Sequence, residues 1–135
     1  MMDEPIDQAT KPVRIAVAED EPDVRRAFVA LLKAMGYDVV GAAANGAELL
    51  EQCREIEVDV VFVDLDMPVM DGLTVAQEIT GMGIPVVLIS GHPDAEHVVL
   101  DAEPVVARIS KPASLDSVRR AIEAALDHRK RTTSK

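Results

Sequence analysis

Residues 58–68 read Val-Asp-Val-Val-Phe-Val-Asp-Leu-Asp-Met-Pro, an apolar run that stops at two carboxylates and a proline. A short and nearly continuous apolar run of this kind is typical of a strand that is buried on both faces of a parallel sheet. We therefore predict a central strand over 58–63, with Asp64 at its carboxyl end.

Strand-like and helix-like segments alternate along the rest of the chain. Further strands are predicted at 13–18, 37–44, 85–89 and 105–109, with proline or glycine near many of the boundaries. Apolar spacing of three and four residues predicts helices between them, including short ones at 73–80 and 94–102. The three clearest buried helix faces are expected to carry Val24, Phe28, Leu31, Leu32 and Met35; Leu49, Leu50, Cys53 and Ile56; and Leu115, Val118, Ile122 and Leu126.

Five strands that alternate with helices indicate an α/β fold, in which a doubly wound parallel sheet carries helices on both faces. We assign residues 13–130 to this one domain, 1–12 to a disordered polar lead-in and 131–135 to a basic tail.

Composition argues against several classes of function. The chain has 135 residues, a formal net charge of −10 and only three aromatic residues, so direct binding to nucleic acid or to an anionic membrane is not expected. No apolar run resembles a signal peptide or a membrane span. The single cysteine, Cys53, is expected in the core and is compatible with a reducing compartment. We therefore expect a cytoplasmic protein.

Polar side chains follow four of the five predicted strands. Glu19 and Asp20 follow the first, Asp64 ends the third, Ser90 ends the fourth and Lys111 follows the fifth. Because ligands of open α/β sheets bind outside the carboxyl ends of the strands, we expect these groups to lie close together.

These groups suit phosphoryl transfer. Three neighbouring carboxylates repel one another unless a cation is present, and Mg²⁺ prefers hard oxygen ligands. A carboxylate can attack phosphorus to give an aspartyl phosphate, a reaction that needs mainly positioning and neutralisation of charge. The Lys111 ammonium and the Ser90 hydroxyl are suitable partners for two phosphoryl oxygens.

The same residues occur in longer motifs, which are Glu19-Asp20, Asp64 within Asp-Leu-Asp-Met-Pro-Val-Met-Asp-Gly, Ser90-Gly91 and Lys111-Pro112. In this order and at about these spacings, over residues 13–129, they resemble the response-regulator receiver family of two-component signalling. The resemblance implies a flavodoxin-like sheet with strand order 2-1-3-4-5.

By this resemblance Asp64 is the phosphoacceptor, Ser90 the switch hydroxyl and Lys111 the phosphoryl-binding lysine. The domain would assist its own phosphotransfer and dephosphorylation without being an enzyme that turns over a substrate.

The resemblance also implies a Mg²⁺ ion. Asp20, Asp64 and the main-chain carbonyl of Asp66 would bind the ion directly, and Glu19 would act largely through water.

The implied partners are proteins. The phosphoryl donor would be a phosphohistidine on a sensor histidine kinase or a histidine phosphotransfer protein. A downstream protein would bind the face formed by the 94–102 helix, the fifth strand and the last helix.

Two positions depart from the family pattern or extend it. Arg108 stands where the family usually has an aromatic residue, three positions before Lys111. It either changes ion pairing on phosphorylation or is an exposed residue of the strand edge, and measuring partner binding of Arg108→Ala would separate the two. His92, two residues after Ser90, is either placed over the phosphoryl group or in solvent.

Two other functions are compatible with the motifs. The first is a pseudo-receiver, a binding module of the same fold that is never phosphorylated. The second is a haloacid-dehalogenase-type phosphatase, although that family places its nucleophile after the first strand and its acidic pair late in the chain.

The helix at 94–102 is predicted to be short or mobile. It lies between Pro93 and Pro104 and contains consecutive Val98 and Val99, whose branched side chains lower helix propensity. Amide hydrogen exchange in this segment should be faster than in the helix that follows Pro22, and equally slow exchange in both would contradict the prediction.

Overall fold

Five parallel strands form a single sheet in the computed structural model, which describes residues 12–64, 72–91, 105–110 and 113–133. The strands are β1 (Arg14–Ala18), β2 (Asp38–Ala43), β3 (Val60–Asp64), β4 (Val86–Ser90) and β5 (Val105–Ser110). Their order in the sheet is β2-β1-β3-β4-β5. The predicted fold class and strand order are therefore confirmed.

Four helices lie within the described ranges. They are α1 (Pro22–Ala34), α2 (Gly46–Glu55), α3 (Gly72–Gly81) and α4 (Leu115–Thr133). The last one continues to residue 133, so part of the predicted basic tail is helical. The helix predicted at 94–102 and most of the predicted lead-in lie outside the described residues.

Local signals in the sequence explain where the helices begin and end. Proline is accommodated in the first turn of α1, where its missing N–H costs nothing. Gly36 follows the end of α1 with a φ of 96°, a conformation that suits glycine. Asn45 caps α2 by accepting a hydrogen bond from the Glu48 N–H at 2.9 Å, and the Ser114 hydroxyl accepts one from the Ser117 N–H at 3.1 Å.

The core has two layers because side chains alternate along each strand. Ile15 and Val17 of β1 pack on one face of the sheet, with side chains of α1 and α4. Ala16 and Ala18 pack on the other face, with side chains of α2 and α3. Helices therefore cover both faces, as predicted for a doubly wound sheet.

Three residues expected on buried helix faces are exposed, which corrects the prediction from apolar spacing. Val24 is 42% exposed and lines an apolar cavity of about 490 Å³ together with Phe28 and other residues. Ile56 is the C-cap of α2 and lies beyond its last turn. Leu115 is 51% exposed because it is the first residue of α4, and burial starts one turn later at Val118.

Both outer strands of the sheet contain one residue more than their neighbours. On β2, the register passes from Val39 to Gly41 while β1 advances by a single residue. On β5, it passes from Val105 to Ala107 while β4 advances by one. The extra residues are Val40 and Val106, and each lies on an edge strand.

In the ranges that the structure describes, we find no helix that combines the length and the apolar character needed to cross a membrane.

Cys53 should react slowly with alkylating reagents while the protein is folded. Cys53 is 8% exposed on the buried face of α2, as predicted, and burial raises the pKa of the thiol from 9.0 to about 11. Since the thiolate is the reactive form, this shift lowers its population about 100-fold at pH 8 relative to the unfolded chain. Iodoacetamide labelling followed by mass spectrometry, with and without denaturant, measures the ratio. Equal rates in both conditions would show that Cys53 is accessible.

Candidate functional site

Three carboxylates meet at the carboxyl end of the sheet. Glu19 and Asp20 directly follow β1, and Asp64 is the last residue of β3. These strands are neighbours in parallel register, with Ala18 opposite Val63, so their ends lie side by side. One carboxylate oxygen from each of the three acidic residues lies within 4.8 Å of the others. The structure thus brings together three of the predicted site residues.

The site is largely closed to solvent. The Asp64 side chain is 2% exposed and Glu19 is 5% exposed, whereas Asp20 is partly exposed. Every residue of β3 is buried, so the strand carries Asp64 into the interior with it. Burying a charge is costly unless an opposite charge or hydrogen bonds compensate. The arrangement therefore favours binding of a cation next to Asp20, where the site is accessible to solvent.

The connection between β1 and α1 is held by several hydrogen bonds. The Glu19 N–H donates to the Ala43 carbonyl at 3.0 Å, which ties the connection to the end of β2. The Glu21 N–H donates to a carboxylate oxygen of Glu19 at 3.1 Å. An Nη atom of Arg25 donates to the main-chain carbonyl of Glu19 at 2.8 Å. The acidic pair is thus attached to both neighbouring elements.

Ser90 lies near Asp64 at the carboxyl end of the neighbouring strand. Asp64 is paired with Ile89 of β4, and Ser90 is the next residue, the last of that strand. The Ser90 side chain is buried, and its register partner on β5 is Ser110. Ser90 therefore ends its strand at the predicted place.

Several predicted site residues lie outside the described parts of the chain. These are Asp66, His92 and Lys111. For Arg108 the strand is described but the side chain is not. Their roles stay predictions.

The described carboxylates match the requirements of a magnesium ion. Mg²⁺ takes oxygen ligands at about 2.1 Å in an octahedron, so opposite ligand atoms lie about 4.2 Å apart. Oxygens within 4.8 Å of one another need to move only slightly to share one such ion. The donor set is hard and anionic, which excludes a preference for soft metals.

Arg25 is a site residue that the sequence analysis missed. A second arginine, Arg26, follows it directly, and nothing in the sequence indicates which of the two contacts the site. In the structure Arg25 is partly buried and contacts the Glu19 carbonyl, while Arg26 is exposed and pairs with Asp23 at 3.0 Å. Only the position of α1 relative to the acidic pair distinguishes them.

Comparison with known proteins identifies the family. The sequence model of the family called response regulator receiver domain matches residues 15–123. The chain belongs to this family. It is the receiver domain of a two-component response regulator, and such domains are signalling domains that interact with histidine kinases or phosphotransfer proteins.

Individual relatives agree with this assignment. The transcriptional regulatory protein PdtaR of Mycobacterium tuberculosis is 33% identical over 129 residues, which cover 93% of this chain and 62% of PdtaR. A response regulator receiver domain protein from Clostridium thermocellum has a TM-score of 0.80 at 25% identity, covering 90% of this chain and 99% of that chain. The chain spans less than two thirds of the curated relatives that it matches first.

One solved relative contains a metal ion. The response regulator TrrA of Thermotoga maritima, in complex with Mg²⁺ and BeF, has a TM-score of 0.74 at 27% identity, covering 84% of this chain and 99% of that chain. Receiver domains in general use Mg²⁺.

Replacing Asp64 by Asn should stabilise the receiver domain in the absence of divalent cations. The change removes one of three converging negative charges, and the relief of repulsion should raise the free energy of unfolding by about 1–2 kcal/mol. Urea unfolding in EDTA measures the difference.

The matched control is Asp38→Asn, since Asp38 is exposed at the opposite end of the sheet. Added Mg²⁺ should stabilise the wild type and the control but not Asp64→Asn. A destabilised Asp64→Asn variant in EDTA, beside an unchanged control, would contradict the repulsion argument.

Proposed function

We propose that this receiver domain accepts a phosphoryl group on Asp64 in a Mg²⁺-dependent reaction. The observation that carries the proposal is the convergence of the Glu19, Asp20 and Asp64 carboxylates at the end of the sheet. Asp20, Asp64 and the main-chain carbonyl of Asp66 are proposed to hold the ion, and Glu19 to act largely through water. The Mg²⁺ complex of TrrA supports the choice of metal.

The Asp64 carboxylate is the proposed nucleophile. One of its oxygens attacks the phosphorus atom of the donor as the P–N bond to the donor imidazole breaks, and that nitrogen leaves with the electron pair. The product is an aspartyl phosphate. Hydrolysis reverses the modification when a water oxygen attacks phosphorus, which releases phosphate and restores the carboxylate.

The remaining groups would position the phosphoryl oxygens and neutralise their charge. A Mg²⁺ ion held by Asp20 and Asp64 would supply positive charge at the phosphoryl group. The Ser90 hydroxyl, at the end of the neighbouring strand, is proposed to donate a hydrogen bond to one phosphoryl oxygen. The Lys111 ammonium is proposed to pair with another. Because a receiver domain is a signalling domain, we propose no substrate turnover beyond this phosphotransfer and its reversal.

The proposed donor is a phosphohistidine on a sensor histidine kinase or a histidine phosphotransfer protein. The output partner is proposed to be a protein that binds the face formed by residues 94–102, β5 and α4. The proposed location is the cytoplasm.

The family match disagrees with one of the two alternative functions and is compatible with the other. The family match does not support a haloacid-dehalogenase-type phosphatase, because the acidic pair follows β1 and Asp64 ends β3, as in the receiver pattern. A pseudo-receiver has the same fold and is separated from a true receiver only by experiment.

The protein incubated with Mg²⁺ and acetyl phosphate should gain one phosphoryl group, measured by intact mass. Asp64→Ala should gain none. Asp66→Asn, which removes the next carboxylate along the chain but retains the main-chain carbonyl, should still be modified. Hydroxylamine should remove the group, as expected of an acyl phosphate and not of a phosphoserine.

Other outcomes would favour the alternatives. No gain of mass, even with candidate kinases supplied, would indicate a pseudo-receiver. Steady turnover of a phosphomonoester would indicate a phosphatase.

A further inference from the structure

The contact between Arg25 and Glu19 links the first helix to the acidic site. Arg25 lies one turn into α1, and its guanidinium donates to the Glu19 carbonyl at 2.8 Å from a partly buried position. A charge-assisted hydrogen bond of this kind is stronger than one between neutral groups. The contact is therefore suited to fixing the local main chain.

The contact has a direct geometric effect on Asp20. The Glu19 carbonyl and the Asp20 N–H belong to one planar peptide unit, which includes the Cα atoms of both residues. A bond that fixes the carbonyl thus fixes the plane and restricts the direction in which the Asp20 side chain leaves the main chain. The Glu21 N–H also donates to the Glu19 carboxylate, at 3.1 Å.

Arg25 provides a side-chain contact between α1 and the preceding connection that the N-cap of the helix does not provide. Glu21, the N-cap of α1, makes no side-chain cap hydrogen bond, so the start of the helix does not hold the connection in that way. The Arg25 N–H donates to the Glu21 carbonyl at 2.8 Å, so this arginine contacts the connection through both its main chain and its side chain.

We propose that Arg25 is a positioning residue that sets the affinity of the acidic site for Mg²⁺. It orients the Glu19–Asp20 peptide so that the Asp20 carboxylate converges on Asp64. The inference rests on the proposed function, because it assumes that these carboxylates hold the ion. Partners that orient the ligands of a metal are typically worth about 10–100-fold in affinity.

Arg25→Met should bind Mg²⁺ about 10-fold more weakly than the wild type in isothermal titration calorimetry without any phosphodonor. Methionine keeps good helix propensity and an apolar stem but has no donor. The matched control is Arg26→Met, which changes the net charge equally in an exposed neighbour and should stay within about twofold of the wild type.

Arg25→Lys separates positioning from charge. Lysine retains the positive charge but not the planar fork and reach of the guanidinium. If Arg25 acts by positioning, this variant also binds Mg²⁺ more weakly, by at least about threefold, while its thermal midpoint without Mg²⁺ stays close to that of the wild type. Full affinity in Arg25→Lys would show that the geometry of the guanidinium is not needed and would overturn the inference.

Phosphorylation by acetyl phosphate gives an independent readout. For Arg25→Met the Mg²⁺ concentration that gives half-maximal rate should rise, and the rate at saturating Mg²⁺ should return to within about twofold of the wild type. Equal Mg²⁺ affinities of Arg25→Met and the wild type would overturn the inference about Arg25 but not the proposed function.

Failure of the proposed function would give different experimental results from failure of the inference about Arg25. A wild type that binds Mg²⁺ but gains no phosphoryl group would refute the phosphoacceptor role and leave the calorimetric test of Arg25 intact. A wild type that binds no Mg²⁺ would overturn both.

Discussion

The parallel pairing of β1 with β3 is the constraint on which the candidate site depends. Neighbouring strands lie about 4.8 Å apart, and a strand placed between them would double that distance to about 10 Å. Carboxylates carried on separated strand ends would then be too far apart to share an ion whose bonds are about 2.1 Å long. Because β2 lies outside β1 in the sheet, Glu19, Asp20 and Asp64 come within 4.8 Å of one another.

Repulsion between these converging carboxylates destabilises the folded state. Burial of β3 takes Asp64 into the interior, where repulsion from Glu19 is stronger than it would be in water. Hydrogen bonds from the Glu21 N–H and from Arg25 hold the facing connection in place. The site therefore combines three converging carboxylates with a connection that is tied by hydrogen bonds, and binding a cation there would reduce the repulsion.

The sequence was sufficient to predict the sheet and the strand ends of the site. Apolar runs that stop at a carboxylate or a hydroxyl placed Asp64 and Ser90 within the correct strands, and the strand-end rule for α/β sheets then brought Asp64 and the acidic pair together. Apolar spacing was less reliable at helix ends. It assigns a residue to one side of a helix but does not show which positions of the first turn are covered by another element, which is why Val24 and Leu115 were predicted to be buried and are exposed. Arg25 was missed for a related reason, since its role depends on how α1 is placed against the connection before it.

The register shifts at the two edge strands have a consequence for the behaviour of the protein at high concentration. An exposed strand edge offers unpaired N–H and C=O groups to which a strand of another molecule can add. The regular spacing that such an addition requires is interrupted on β2 at Val40 and on β5 at Val106. Within the described residues, each outer strand therefore has an interrupted pairing pattern, which disfavours the addition of a strand from another copy of this acidic domain.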